Sequence, residues 1–276
     1  MNISAADVNK LRTMTGAGMM DCKKALTEAQ GDFEGAIDIL RKKGQKIAAA
    51  RADRESSEGT VFVKTNEAQT EGIAIGLNCE TDFVAKTEGF LQMGNAILEV
   101  ADTQKPADIA TLLTLPIDGR TIAEHLSDMM GKIGEKIEIS SYEVVKGEKV
   151  ISYLHGTRIG VLVSLQNVGG DFETAGKDVA MQIAAMKPIA LDKDGVSTDL
   201  INREIEIGKE QARAEGKPEN MLEKIALGKL AKFYKDYTLL NQEFIKDTKL
   251  TVAQYLNATH KDMTVVAYKR VAIGVA

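Results

Sequence analysis

Apolar residues recur at helical spacing at the start of the chain, alternate at strand spacing further on, and return to helical spacing in a long later stretch. Ser4 and Asp7 read as a capping pair that opens a helix carrying Val8, Leu11 and Met14 on one face and closing near Gly16. A second helix sets Met19, Cys22, Leu26 and Ala29 together and ends at Gly31, and Asp32 then caps a third with Phe33, Ile37 and Leu40 inward. These helices predict a small bundle over residues 1–44. So little core leaves a groove, or an exposed Met20, free for a partner. Residues 45–58 are charged and Ala-rich without a sustained apolar face, the pattern of a helical tail or linker.

Strand patterns follow. Thr60 to Lys64 and Gly72 to Asn78 flank a polar turn at Asn66 and Glu67, which predicts an antiparallel hairpin. Ile73, Ile75, Leu77 and Cys79 alternate with Ala74, Gly76, Asn78 and Glu80, so one face of the second strand should be apolar and the other small or polar. Thr81 then reads as a helix N-cap, Asp82 complements the positive helix end, and Phe83 and Val84 fall beside a loop. The local pattern leaves two readings of Phe83 open. It tucks into its own core, which the burial habits of Phe favour, or it projects as a wedge toward another protein. From Thr87 a helix carries Phe90, Met93, Ile97, Leu98 and Ala101, Pro106 is placed to start a short one, and Thr121 with Glu124 forms a capping box for another.

A second hairpin-plus-helix unit is expected from strands near Ile137–Val145, Val150–His155 and Arg158–Gln166 and a helix near Asp171–Met186. Gly170-Asp171-Phe172 falls where Thr81-Asp82-Phe83 fell before, a hint of two related subdomains over 59–136 and over 137–196 with 237–276. Between the two parts of the second, Ser197 starts a long helix halted by Gly216 and restarted at Pro218, so residues 197–236 predict a helical hairpin that projects as an arm. Thr251 with Gln254 gives a last capping box, and a strand near Met263–Ile273 should complete the second sheet. The fold class is therefore α+β: an N-terminal helical domain, two antiparallel-sheet-plus-helix core subdomains and an inserted hairpin.

Composition narrows the function. The 276 residues carry a net charge of -5, against the broad basic surface that nucleic-acid binding needs. Neither a signal or transit pattern nor a membrane-length apolar run is present, which places the expected site of action in the cytoplasm. Cys22 and Cys79 sit on apolar stripes and read as buried small hydrophobes, without a disulfide framework or a metal cluster. His125, His155 and His260 lack paired ligand spacing, and His155 before Gly156 reads first as a turn residue. Gly131-Lys132-Ile133-Gly134-Glu135-Lys136 is not a P-loop, and no nucleophile–base motif stands out. The expectation is a protein that acts by binding, without enzymatic activity, cofactor or metal.

Three stretches resemble the bacterial elongation factor Ts family: Leu11 to Leu26 its N-terminal signature, Leu77 to Lys86 its second, and Tyr153 to Val163 a third. The resemblance runs essentially end to end. It implies a ubiquitin-associated-like helical domain, a two-subdomain core and a dimerising hairpin. It also implies guanine-nucleotide exchange on elongation factor Tu. In the family the Asp-Phe pair, here Asp82 and Phe83 between Thr81 and Val84, intrudes beside the partner's magnesium and phosphate region. Residues such as Leu11, Met19 and Met20 dock on a helix of the same nucleotide-binding domain, and the stretch around His155 and Arg158 holds a more distant domain. A passive interaction or chaperone-like module is the competing expectation. Two departures stand out: Gly76 where the second signature often begins with Glu, and no residues after Ala276 where many members carry a further helical module, whose contacts are expected to be absent or replaced.

Overall fold

In the computed structural model, residues 3–274 are described. The chain begins with α1 (Ala5–Thr15), α2 (Met19–Glu28) and α3 (Phe33–Ala50). Ser4 and Asp7 form a complete capping box on α1, Gly16 ends it in the left-handed conformation, and the Asp32 carboxylate accepts from Glu34 and Gly35 N–H at the start of α3. Leu11, Cys22, Leu26 and Ala36 are fully buried where the helices meet. Met14, which shares a face with Val8 and Leu11 in the sequence pattern, is more than half exposed, and so are Met19 and Met20, the pair that the family resemblance places at a docking surface. Three short helices have too few neighbours to cover every apolar position. The third helix runs on to Ala50, through the first part of the stretch read as a helical tail or linker, and Gly44 within it is buried against α7 (Ile122–Ile133).

Next come β1 (Glu58–Thr65), β2 (Glu71–Cys79), α4 (Asp82–Ala85), α5 (Glu88–Gln104), α6 (Ile109–Thr114), the short pair β3 (Pro116–Ile117) and β4 (Arg120–Thr121), and α7. Asp108, not Pro106, caps α6: its carboxylate accepts from Thr111 N–H at 2.7 Å. Thr121 and Glu124 cap α7 as expected. The strand β2 is buried on both faces rather than one, since Ala74, Gly76 and Asn78 are covered as well. A Cβ on Gly76 would stand 2.8 Å from Ser140 Oγ and 3.3 Å from side-chain atoms of Val271 and Ile273, so only glycine fits there without displacement.

The remaining elements are β5 (Ile137–Lys146), β6 (Lys149–His155), β7 (Ile159–Gln166), α8 (Phe172–Met186), α9 (Thr198–Ala214), α10 (Glu219–Tyr237), β8 (Glu243–Phe244), β9 (Asp247–Thr251), α11 (Val252–Thr259) and β10 (Thr264–Ala272). Two three-stranded sheets have the orders β1-β2-β5 and β10-β7-β6. The strand β5 therefore joins the first sheet, not the second as its place in the chain suggested. The second sheet takes its third strand from the far end of the chain, β10, while β6 and β7 pair antiparallel from Lys149↔Leu165 to His155↔Ile159.

The chain divides into two compact units, one of Met1–Phe62, Ala74–Tyr142 and Val271–Ala276, the other of Val63–Ile73 and Glu143–Arg270. In the second, α8 packs on β6 and β7 over a core that includes Val161, Val163, Leu165, Val179 and Ile183. The α9–α10 hairpin is tight: a Cβ on Gly208 would lie 3.1 Å from Ala226 Cα. Among the described residues no helix is long and apolar enough to cross a membrane.

Candidate functional site

The site begins where β2 stops. Cys79 ends the strand fully buried, and its thiol donates to Thr81 O at 3.1 Å. Burial, with the Glu135 charge nearby, pushes this thiol from 9.0 up to about 12. Thr81 takes extended backbone angles and caps the single helical turn α4, accepting from Val84 N–H. Val84 and Ala85 face inward at 8% and 6% exposure, and Thr60 Oγ1 donates to Ala85 O at 3.3 Å. Between the cap and this buried base, Phe83 is 80% exposed. Asp82 faces solvent beside it and accepts from Lys86 Nζ at 2.6 Å, one turn on; that bond holds its carboxyl below the ordinary range.

A turn of four residues has too few internal bonds to hold itself. It is held from outside. Thr81 N donates to Glu135 Oε2 at 3.0 Å, and Thr81 Oγ1 donates to Glu135 Oε1 at 2.7 Å. The preceding residue, Glu80, accepts from Arg51 Nη1 at 2.7 Å, Arg54 Nη1 at 3.2 Å and Lys136 N at 2.7 Å. Burial works to raise the Glu80 carboxyl, but these donors outweigh it and leave it below the usual carboxylate range. Nothing in local spacing marks Glu135, Arg51 or Arg54. The partners of the turn lie up to 56 residues away in sequence, and only the folded chain reveals them.

The other residues singled out in the sequence fall in two places. Met19 and Met20 open α2 at 53% and 63% exposure, whereas Leu11 is fully buried in the bundle core with Cys22 and Leu26 and presents no side-chain surface. In the second unit, His155 is exposed at the end of β6, its Nδ1 3.1 Å from Tyr153 Oη, and half-buried Arg158 lies across the turn made by Gly156 at φ 60°. Gly170-Asp171-Phe172 matches the first turn in capping only: Asp171 accepts from Thr174 N–H, but Phe172 is partly buried against its core, with Lys149 Nζ 5.8 Å from the ring centroid. Among the described residues no cluster of three His, Cys, Asp or Glu could hold a metal ion.

A helical N-terminal domain, small antiparallel sheets and distinctive side chains carried on turns and helix ends define a mixed α+β protein. The family described as Elongation factor TS matches residues 80–275. The chain is 59% identical to elongation factor Ts of Cytophaga hutchinsonii over 98% of this chain and 99% of that one. It is 55% identical to the factor of Amoebophilus asiaticus over 99% and 100% of the two chains, and 48% identical to that of a Hydrogenobaculum strain over 99% and 100%. The chain belongs to the elongation factor Ts family.

Proposed function

We propose that the chain is a guanine-nucleotide exchange factor that binds elongation factor Tu in the cytoplasm and promotes release of GDP during translation elongation. The observation that carries this reading is Phe83, a large apolar side chain 80% exposed at the tip of a turn whose own base is buried and hydrogen-bonded. A solvated Phe on a braced turn loses little conformational freedom on entering an apolar slot, and burying it there yields ~1.5–3 kcal/mol.

In this account Phe83 enters beside the partner's magnesium and phosphate site, and Asp82 displaces polar groups that coordinate it. Each charge-assisted bond lost to GDP costs about 1.5–3 kcal/mol, so two or three account for a ~10³-fold faster release or more. No covalent chemistry is involved. Binding and release are linked by one coupling free energy: whatever the chain takes from GDP affinity, GDP takes from the affinity of the chain.

Met19 and Met20 supply an adaptable apolar contact for the nucleotide-binding domain, and Leu11 packs in the core of the bundle that carries them. His155 and Arg158 contact a more distant domain. The hairpin, with Met221 and Leu227 about half exposed, serves dimerisation. Stopped-flow release of a fluorescent GDP from elongation factor Tu tests the function: the chain should accelerate release in proportion to its concentration until saturation. A chain that binds without changing the release rate is a passive partner.

A further inference from the structure

Phe83 is aimed by the turn that carries it. Its side chain is 80% exposed, so its direction depends on the backbone of the turn that carries it. We propose that Glu135 is the positioning residue of this wedge, acting with Glu80 in a reciprocal clasp; the inference rests on the exchange reading above.

The geometry is specific. Two consecutive residues at the end of β2, Glu80 and Thr81, face two consecutive residues after α7, Glu135 and Lys136. Thr81 N–H donates to the Glu135 carboxylate at 3.0 Å, and Lys136 N–H donates to the Glu80 carboxylate at 2.7 Å. Each pair thus gives a backbone donor to the other's side chain. The Thr81 hydroxyl completes the clasp. It has one proton, which goes to Glu135 at 2.7 Å, so its lone pairs remain to cap Val84 N–H. Removing Glu135 frees that hydroxyl to rotate and leaves Thr81 N–H without its carboxylate, loosening the cap directly before Asp82 and Phe83.

The clasp is anchored at both ends. Glu135 follows Gly134, which closes α7 in the left-handed conformation at φ 80°. Glu80 is held by Arg51 and Arg54, at and just beyond the end of α3. The helix α3 is continuous from Phe33, where it packs in the N-terminal bundle, to Ala50 beside the clasp. The helix that carries the bundle therefore also supports the residue next to the wedge.

The test is a double-mutant cycle on stimulated GDP release from elongation factor Tu, using full-length wild type, Glu135→Ala, Phe83→Ala and the double variant, with a thermal melt of each. Glu135→Ala should lower the maximal stimulated rate by about tenfold or more, since small misplacement of a positioned group carries penalties of that order. In the Phe83→Ala background the same substitution should change the rate by less than about twofold, because no wedge remains to be aimed. Glu135→Gln keeps an accepting oxygen for Thr81 and should recover most of the rate.

A Glu135→Ala protein as fast as wild type, beside a slow Phe83→Ala protein, overturns the clasp and leaves the exchange reading intact. Equal losses in both backgrounds overturn it too, by showing a general effect on the fold. Wild-type rates from Phe83→Ala refute the wedge itself, and the clasp with it.

Discussion

Gly44 of α3 and Gly131 of α7 meet backbone to backbone: a Cβ on Gly131 would stand 2.7 Å from the Cα of Gly44, and one on Gly44 would stand 3.1 Å from Ser127 O. Two glycines at one crossing let the helices approach more closely than side chains permit. Gly131→Val should force them apart at a cost of about 1–3 kcal/mol and lower the melting temperature. An unchanged melt would show that the two helices do not share this contact.

In the second unit, Asp178 is 6% exposed and accepts from Lys246 Nζ at 2.6 Å and from Tyr255 Oη at 2.9 Å. Truncating it leaves the Tyr255 hydroxyl without its acceptor in a partly desolvated position. Asp178→Ala should destabilise this unit by about 1–3 kcal/mol in chemical denaturation while the turn that carries Phe83 in the other unit stays intact.

Alkaline stability follows from groups whose protonated form the fold favours. Desolvation pushes the Tyr268 hydroxyl from 10.0 up to about 12, as it does the Cys79 thiol from 9.0. Both folded-state values lie above the unfolded ones, so their contributions are fully present below about pH 8.5 and are lost as pH rises toward 12. The corresponding prediction is chemical: at pH 8.5 a thiol reagent should label Cys79 at least about a hundredfold more slowly in the folded protein than in denaturant. Equal labelling rates would contradict the burial of this thiol.

If Met19 and Met20 contact elongation factor Tu as proposed, the N-terminal bundle is a separate handle on affinity. Met19 and Met20 are 53% and 63% exposed, so replacing both with Asp should leave the melting temperature almost unchanged. Placing two charges in an apolar contact should raise the concentration of the chain needed for half-maximal exchange by about tenfold or more. Titrations of elongation factor Tu that overlay with wild type would remove these residues from the interface.

What the sequence disclosed was what local chemistry controls. The capping boxes at Ser4–Asp7, Thr121–Glu124 and Thr251–Gln254 form within one helical turn, and all are present where their spacing put them. The α9–α10 hairpin was legible for the same reason, from Ser197, Gly216 and Pro218. Thr81 was readable as a cap because its acceptor and donor are three residues apart.

Contacts between distant segments were not legible. The pairing of β5 into the first sheet, the cover over the second face of β2 and the Gly44–Gly131 crossing all depend on partners far away in the chain. The exposure of Phe83 belongs with them. Thr81-Asp82-Phe83 and Gly170-Asp171-Phe172 look alike as strings, yet one Phe is 80% exposed and the other packs against its core, a difference set by what surrounds each turn.

If Phe83 is the wedge, removing its ring slows exchange. In stopped-flow measurements of fluorescent GDP leaving elongation factor Tu, Phe83→Ala should reduce the stimulated rate by about 10- to 100-fold, the equivalent of losing ~1.5–3 kcal/mol of inserted aromatic surface. Its melting temperature should match wild type, because the side chain is 80% exposed. A Phe83→Ala protein that folds normally and releases GDP at the wild-type stimulated rate would contradict the account.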